Sequence, residues 1–186
     1  MEFDKYKLYG DYHHRLMAEG TDPYVAHMNK VISWIGPGKT IDIGAGDGVA
    51  TKLLNEKYGG CIGIDDNTYA ITLAKAHGID VKQLSIYTIR CPYIGYFDNA
   101  FMGDVIEHLE FPDKALLRVK NILNLHGYLY IATPPAMANG QLHDKYHYRE
   151  YTPDTLQKFV EQHGFKLVEP ITIANVRMYA KFQKIK

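Results

Sequence analysis

The stretch Asp42-Ile43-Gly44-Ala45-Gly46-Asp47-Gly48 ends a short apolar run and precedes a helical pattern over residues 49–58. Glycines between a strand and a helix let the backbone pass close to a ligand, and the helix start offers unpaired N–H groups. The spacing is Gly-x-Gly-x-Gly. A dinucleotide loop would place its third glycine at position 49, which is valine, and no Gly-Lys-Ser/Thr follows for a phosphate loop.

Strand and helix patterns alternate along the chain from this turn onward. The predicted strands are residues 40–43, 61–64, 81–84, 96–102, 128–133, 166–169 and 176–183, and the predicted helices are 49–58, 69–77, 112–123 and 153–163. Helices about ten residues long between strands require right-handed crossovers and a parallel sheet that is covered on both faces. No helical pattern separates the last two strands. The sequence therefore predicts an α/β fold with a seven-stranded, mostly parallel sheet whose last strand pair is antiparallel.

The segment before the first strand has a different pattern. It is rich in Tyr and His, and residues 24–34 have apolar side chains at helical spacing before Gly36-Pro37-Gly38 interrupts the chain. Ligands in sheets of this type bind at the carboxyl ends of the strands, near the switch in strand order. We interpret residues 1–36 as an N-terminal helical arm and residues 37–186 as one domain.

Composition restricts the classes of partner. The 186 residues include 21 Lys plus Arg and 21 Asp plus Glu, so the formal net charge is zero. This balance predicts no general affinity for nucleic acid, although a local basic patch stays open. No apolar run approaches a membrane span, and Cys61 and Cys91 form neither a disulfide framework nor a zinc motif. We expect a cytoplasmic protein with no membrane partner.

Asp65 ends the second predicted strand, twenty-one residues after Gly44. A carboxylate at this position can accept hydrogen bonds from both hydroxyls of a ribose. The alternative interpretation is a tight turn followed by a solvated Asp.

These features and a later stretch resemble the class I S-adenosylmethionine-dependent methyltransferases, in particular the ubiquinone-pathway O-methyltransferases. The later stretch is Phe97-Asp98-Asn99-Ala100-Phe101-Met102-Gly103-Asp104-Val105-Ile106-Glu107-His108-Leu109, followed by Gly-Tyr-Leu-Tyr-Ile-Ala-Thr-Pro-Pro ending at Pro135. The resemblance covers about residues 40–169. It implies a single Rossmann-like domain, S-adenosyl-L-methionine as cofactor, and methyl transfer to an oxygen or nitrogen nucleophile of a small-molecule acceptor.

The resemblance also implies which residues bind the cofactor. The backbone at Gly44, Ala45 and Gly46 is expected to contact the methionine part, and Asp65 the ribose. The other residues assigned to the cofactor are Asp42, Asp66, Asn67, Ser85, Ile86, Gly103 and Asp104. The family often has an Asp after the third strand for the adenine amino group. None is present at residues 83–86, so Ser85 or a backbone carbonyl is expected to replace it.

Four residues are candidates for the chemistry. Asp104, Glu107 and His108 are spaced i, i+3, i+4, which places them on one helical face if Asp104 begins a helical turn. His147 lies in a long polar loop over residues 134–151, a length typical of functional loops. We therefore assign His108, His147 and Glu107 as catalytic candidates.

Three interpretations of this group are open. In the first, His108 or His147 is a general base, because an imidazole accepts protons near neutral pH. In the second, Asp104, Glu107, His108 and His147 bind a divalent cation, as a similar stretch in ubiquinone-pathway and bacterial small-RNA 2′-O-methyltransferases implies; Asp104 stands where those families usually have Glu. In the third, Glu107 and His108 only organise the turn beneath the cofactor.

Two other functions are compatible with the same residues. One is an RNA 2′-O-methyltransferase that uses a divalent metal. The other is a non-catalytic partner subunit that retains the cofactor-binding fold.

Overall fold

Three helices precede the sheet in the computed structural model of the chain, which describes residues 5–20, 23–90, 92–174 and 176–185. They are α1 (Lys5–Tyr9), α2 (Tyr12–Glu19) and α3 (Tyr24–Trp34). Helix α3 buries His27, Met28 and Val31, so its apolar face is part of the core. The helix predicted over residues 24–34 is confirmed, while the domain boundary at residue 36 stays a prediction. Cys91 lies outside the described residues.

The remaining chain forms a mixed sheet with helices between its strands. The strands are β1 (Thr40–Ile43), β2 (Cys61–Asp65), β3 (Val81–Gln83), β4 (Phe97–Gly103), β5 (Leu123–Thr133), β6 (Phe165–Leu167), β7 (Thr172–Ala174) and β8 (Arg177–Lys184). The helices are α4 (Val49–Tyr58), α5 (Thr68–Ala76), α6 (Pro112–Ile122) and α7 (Pro153–Glu161), and a 3-10 helix spans Ile106–His108.

Strand order places the candidate site. The order is β3-β2-β1-β4-β5-β8-β6, and β7 also pairs with β8. Strands β1 to β5 pair in parallel, whereas β8 is antiparallel to its neighbours β5, β6 and β7. The chain runs from β1 toward β3 on one side and returns to β4 on the other. The crevice at this switch lies beyond the carboxyl ends of β1 and β4.

The predicted α/β class with a mostly parallel sheet and antiparallel last strands is confirmed. The structure adds an eighth strand, β7, whose three residues are all exposed. A short exposed strand has no apolar alternation, so the sequence pattern gave no signal for it. Strand β8 lies between β5 and β6, which makes β6 the edge.

The core lies on both faces of the sheet, as helices on both faces require. On β4, Ala100 and Met102 belong to a cluster with residues of α6 and α7, and Phe101 belongs to a second cluster with residues of α3 and α4. Successive side chains of a strand point to opposite faces, which explains this division. Of the described helices, none combines the length and apolarity that a membrane crossing needs.

The loop over residues 134–151 is anchored at its base and near its end. The Ala136 N–H donates to the Tyr151 carbonyl at 2.7 Å, and the Tyr148 N–H donates to the Glu107 carbonyl at 2.9 Å. The second bond ties the loop to the 3-10 helix that follows β4. Residues from both segments are therefore brought to the same end of the sheet.

The end of this loop is also fixed by the cap of α7, and we expect Thr152→Ala to lower the free energy of unfolding by about 1 kcal/mol. The Thr152 hydroxyl accepts the Thr155 N–H at 3.2 Å, and the Thr155 hydroxyl accepts the Thr152 N–H at 2.8 Å. Urea unfolding measures the difference. The control is Thr68→Ala, an exposed residue in the first turn of α5, for which a change within about 0.5 kcal/mol is expected. Equal effects of the two substitutions would contradict the capping role.

Candidate active site

Three N–H groups of the glycine turn after β1 donate hydrogen bonds to the end of β2. The N–H groups of Gly44 and Ala45 donate to the Ile64 carbonyl at 2.9 and 3.0 Å, and the Gly46 N–H donates to Asp65 Oδ2 at 2.8 Å. Gly44 and Gly46 have positive φ values of 69° and 59°, a conformation that favours glycine. The Tyr6 hydroxyl of helix α1 lies beside Gly46, and Asp47 bonds His13 and His14 of helix α2. The turn is thus tied to β2 on one side and to the arm on the other.

Asp65 is suited to bind a pair of hydroxyls. Its Oδ1 accepts the Asn67 N–H and its Oδ2 accepts the Gly46 N–H, both at 2.8 Å. A carboxylate has about four acceptor positions, so each oxygen can accept one further hydrogen bond. Burial raises the pKa of Asp65, and the two backbone bonds oppose that shift. The fixed carboxylate at the end of β2 fits the ribose role predicted for it.

The other residues predicted to surround the adenine lie at the ends of β2 and β3. Asn67 uses its side-chain oxygen to accept two backbone N–H groups as the N-cap of α5, and Asp66 is exposed. Ser85 and the buried Ile86 begin the turn after β3. Their contacts with a cofactor stay predictions.

Two carboxylates lie beneath the crevice. Asp42 is buried and accepts a hydrogen bond from the Thr51 hydroxyl at 2.6 Å. Burial raises the pKa of Asp42 to about 6, although the Thr51 bond opposes the shift. Asp104 pairs with Arg177, whose Nη2 lies 2.7 Å from Asp104 Oδ2. Burial would raise the pKa of Asp104, but the hydrogen bonds and charge of Arg177 reverse the shift and lower it.

The expectation that Asp104 begins a helical turn with Glu107 and His108 was wrong. Asp104 has a φ of 53°, and the helical turn starts only at Ile106. Asp tolerates the left-handed region better than most residues, and this conformation points its carboxylate to Arg177. Arg177 lies at the start of β8 and was not identified from the sequence.

Glu107, His108 and His147 do come together. One ligand atom from each of the three lies within 4.8 Å of the other two, and the rings of His108 and His147 meet edge to face at 4.7 Å. Glu107 is fully buried, and its Oε2 accepts the Thr133 hydroxyl at 2.8 Å. Its Oε1 has no hydrogen-bond partner among the described residues. Burial and the nearby Asp104 charge raise the pKa of Glu107 to about 8.

Glu150 is a site residue that the sequence interpretation missed. Its buried carboxylate accepts bonds from His147 Nδ1 at 2.5 Å and from His143 Nδ1 at 2.8 Å. Burial would raise the pKa of Glu150, but the bonds from His147 and His143 outweigh it and lower the pKa. An ionised carboxylate can only accept, so His147 Nδ1 carries the proton of this hydrogen bond. The i, i+3 spacing of His147 and Glu150 was the available signal.

His108 is held in the same tautomer by a different partner. Its Nδ1 donates to the Tyr146 carbonyl at 3.3 Å. Burial, together with the neighbouring His147, lowers the pKa of His108 and so favours the neutral ring. The His108 imidazole therefore presents an unprotonated Nε2.

Residues 41–131 match a family model described as a methyltransferase domain. They comprise β1 to β4 and almost all of β5, together with the glycine turn, Asp65 and the 3-10 helix. Over these residues the chain is similar to methyltransferase domains. A curated relative, the ubiquinone biosynthesis O-methyltransferase of Nitrosomonas europaea, is 19% identical over 113 residues, which are 58% of this chain and 48% of the relative. The chain described here thus spans about half the length of this relative.

Solved structures share the fold over nearly the whole chain. An S-adenosylmethionine-dependent methyltransferase of Thermotoga maritima, described as a possible histamine N-methyltransferase, has a TM-score of 0.76 at 16% identity and covers 96% of this chain and 98% of its own. The 1,6-didemethyltoxoflavin-N1-methyltransferase of Burkholderia thailandensis has a TM-score of 0.71 at 18% identity, covering 100% and 92%. The [4+2]-cyclase SpnF has a TM-score of 0.74 at 13% identity, covering 87% and 81%.

We predict that Glu107 makes stability depend on pH. Because its folded pKa of about 8 exceeds its usual value of 4.5, the folded state holds a proton that the unfolded state has lost between these values. Stability therefore falls as the pH rises through this window, by up to about 4 kcal/mol. Glu107→Gln stays neutral and should be more stable than the parent at pH 8.5 but not at pH 4.

Urea unfolding of both proteins across this range measures the effect. Glu110→Gln makes the same change at an exposed neighbouring position and serves as the control. Parallel pH profiles for the parent and Glu107→Gln would contradict the assignment.

We also predict that Glu150 fixes the tautomer of His147. Nitrogen-15 NMR of the labelled histidines should show the His147 proton on Nδ1 in the parent protein. Glu150→Gln should populate the other tautomer, since an amide can also donate to Nδ1. Glu110→Gln is again the control. An unchanged His147 tautomer in Glu150→Gln would refute the orienting role.

Proposed function

We propose that this chain transfers a methyl group from S-adenosylmethionine to an oxygen or nitrogen nucleophile of a small-molecule acceptor. The observation that supports the proposal most directly is the convergence of Glu107, His108 and His147 within 4.8 Å, beyond the end of β4 that borders the crevice. S-adenosylmethionine, when bound, supplies an electrophilic methyl group. The chain's residues have to bind the cofactor, align the nucleophile and accept its proton.

Binding is assigned to the glycine turn and Asp65. The turn brings backbone close to the crevice, and Asp65 has one free acceptor position on each oxygen. Asp42, Asp47 and Asp104 line the same crevice, so the site as a whole is acidic. An acidic site is complementary to a ligand with a net positive charge.

Proton acceptance is assigned to His147, with His108 beside it. Glu150 holds the Nδ1 proton of His147 and stabilises the imidazolium that forms when Nε2 takes a second proton. Transfer from a hydroxyl or an ammonium group needs such a base, whereas alignment alone suffices for a nucleophile without a proton. Asp104 acts on the pKa of both Glu107 and His108, which indicates that the base and the crevice are neighbours.

The cofactor assignment predicts that Asp65→Ala weakens binding of S-adenosylhomocysteine by about 1–3 kcal/mol. The ribose hydroxyls would lose their acceptor in a partly buried site. Isothermal calorimetry measures the affinity. Asp80→Ala, an exposed carboxylate before β3, should leave it unchanged. Equal affinities for the parent and Asp65→Ala would reject the assignment.

The catalytic assignment predicts that His147→Ala lowers turnover by about 10²–10⁴-fold and leaves cofactor affinity unchanged. Formation of S-adenosylhomocysteine is measured against a panel of phenols, hydroxy acids and amines. Asn139→Ala changes an exposed residue of the same loop and should retain turnover. If the parent binds the cofactor and methylates none of the panel, the non-catalytic partner alternative is favoured; SpnF, named as a cyclase, has a similar fold.

A divalent cation held by Glu107, His108 and His147 is a second proposal. Three donor atoms converge within 4.8 Å, and Glu107 Oε1 has no hydrogen-bond partner in the described part of the chain; both observations favour it. One carboxylate and two imidazoles with open positions are a known donor set for a divalent metal. The cation would orient an acceptor hydroxyl, as in the RNA 2′-O-methyltransferase alternative.

Cytoplasmic location remains a prediction from the cysteine content.

Calorimetric titration with Mn²⁺ distinguishes the cation from the general base. Binding that is lost in Glu107→Gln and that releases protons near pH 7 would support the cation, since Glu107 must ionise to bind it. If the parent releases no more heat on Mn²⁺ addition than Glu107→Gln does, the cation is rejected and the general-base interpretation is retained.

A further inference from the structure

The arm attaches to the cofactor crevice through one residue of the glycine turn. Asp47 is buried. Its carboxylate bonds His13 Nδ1 at 3.1 Å, and its carbonyl accepts from His14 Nε2 at 2.9 Å. Helix α2 is thus fastened to the turn that is expected to contact the cofactor, and the Tyr6 side chain of α1 lies against the same turn at Gly46.

Tyr6 fills the space that the glycine turn leaves open. A Cβ at Gly46 would collide with the Tyr6 hydroxyl oxygen and its ring. The missing side chain at Gly46 therefore makes room for Tyr6 itself in this structure. The same space is what a Gly-x-Gly turn offers to a ligand.

Lys5 places a positive charge in the same crevice. Its side chain lines the crevice with Asp42, Asp47 and Asp104. Burial raises the pKa of Asp65 and lowers that of His108, and Arg177 outweighs burial at Asp104; the Lys5 charge acts on the pKa of all three in the lowering direction. The ammonium therefore lies among these groups and offsets the negative charge of the crevice.

The space left between the arm and the glycine turn is small. It holds about 70 Å³ with the arm in place. Ligand sites of this class occupy about 300–1,000 Å³. The Tyr6 side chain and a ligand that contacts the backbone at Gly46 consequently exclude each other from this space.

We propose that Lys5 and Tyr6 are an internal occupant of the cofactor crevice, which the cofactor has to displace. The inference rests on the proposed function for the identity of the cofactor. Lys5 supplies the cation and Tyr6 the hydrogen-bonding group that the ligand would otherwise supply. Displacement reduces the apparent affinity of every cofactor form by the same factor, because each one binds only the open state. The arm then promotes departure of the demethylated product by returning to the crevice.

Calorimetry of S-adenosylmethionine and S-adenosylhomocysteine with the full chain tests the proposal. In each of the variants Tyr6→Ala and Lys5→Ala, both dissociation constants should fall by one common factor. This factor is on the order of tenfold for Tyr6→Ala, which removes a partly buried ring from the glycine turn. Leu8→Ala, on the same helix with 64% of its surface exposed, is the matched control and should bind like the parent.

Amide hydrogen exchange gives a second measurement that does not depend on activity. Saturating S-adenosylhomocysteine should speed exchange in α1 and α2 of the parent. Weaker binding in Tyr6→Ala, together with slower exchange in the arm, would overturn the proposal and show that the arm closes over a bound cofactor instead. Unchanged affinity in Tyr6→Ala would also overturn it.

The Asp65→Ala variant separates these failures from failure of the proposed function. If Asp65→Ala weakens binding while Tyr6→Ala does not tighten it, the cofactor assignment stands and only the internal occupant is rejected. If no protein in the series binds either cofactor form, the proposed function is rejected and the internal occupant with it.

Discussion

The hydrogen bond from the Gly46 N–H to Asp65 is the contact on which the geometry of the site depends. It joins the turn after β1 to the end of β2, and the bonds of Gly44 and Ala45 to the Ile64 carbonyl hold the same two segments together. Parallel pairing in register brings these strand ends side by side. The left-handed conformations of Gly44 and Gly46 make the tight turn possible. A ligand at this edge meets a carboxylate and a backbone that are both fixed before it arrives.

Buried charge is concentrated at the same edge, and each carboxylate is stabilised differently. Asp42 has a hydroxyl donor, Asp65 has two backbone donors and Asp104 has a guanidinium. Glu107 has one hydroxyl donor and no partner among the described residues for its other oxygen, and burial together with the Asp104 charge raises its pKa to about 8. A carboxyl group whose pKa is strongly raised in the folded protein is typical of functional sites. The raised pKa of Glu107 therefore marks the segment after β4 as a candidate functional site.

The sequence predicted most of the fold because the parallel strands are buried and alternate with amphipathic helices. The bounds predicted for β1 and α4 agree with the structure, since a glycine follows each element. Strand β7 was missed because it is exposed, and the Asp104 turn was misread because i, i+3, i+4 spacing does not reveal a positive φ. Periodicity reports burial on one face. It does not report where a backbone leaves the helical region.

The parts of the site that could not be predicted are those made by contacts distant in sequence. Asp104 meets Arg177 across 73 positions, and His13 meets Asp47 across 34. Glu150 was within reach of sequence reasoning, because it is three residues from His147, yet its burial decides its role and burial in an irregular loop has no periodic signal. The position of the arm could not be predicted for the same reason. Its Tyr and His content was visible, but only the structure shows that Tyr6 ends against Gly46, where the turn is open because it has no side chain of its own.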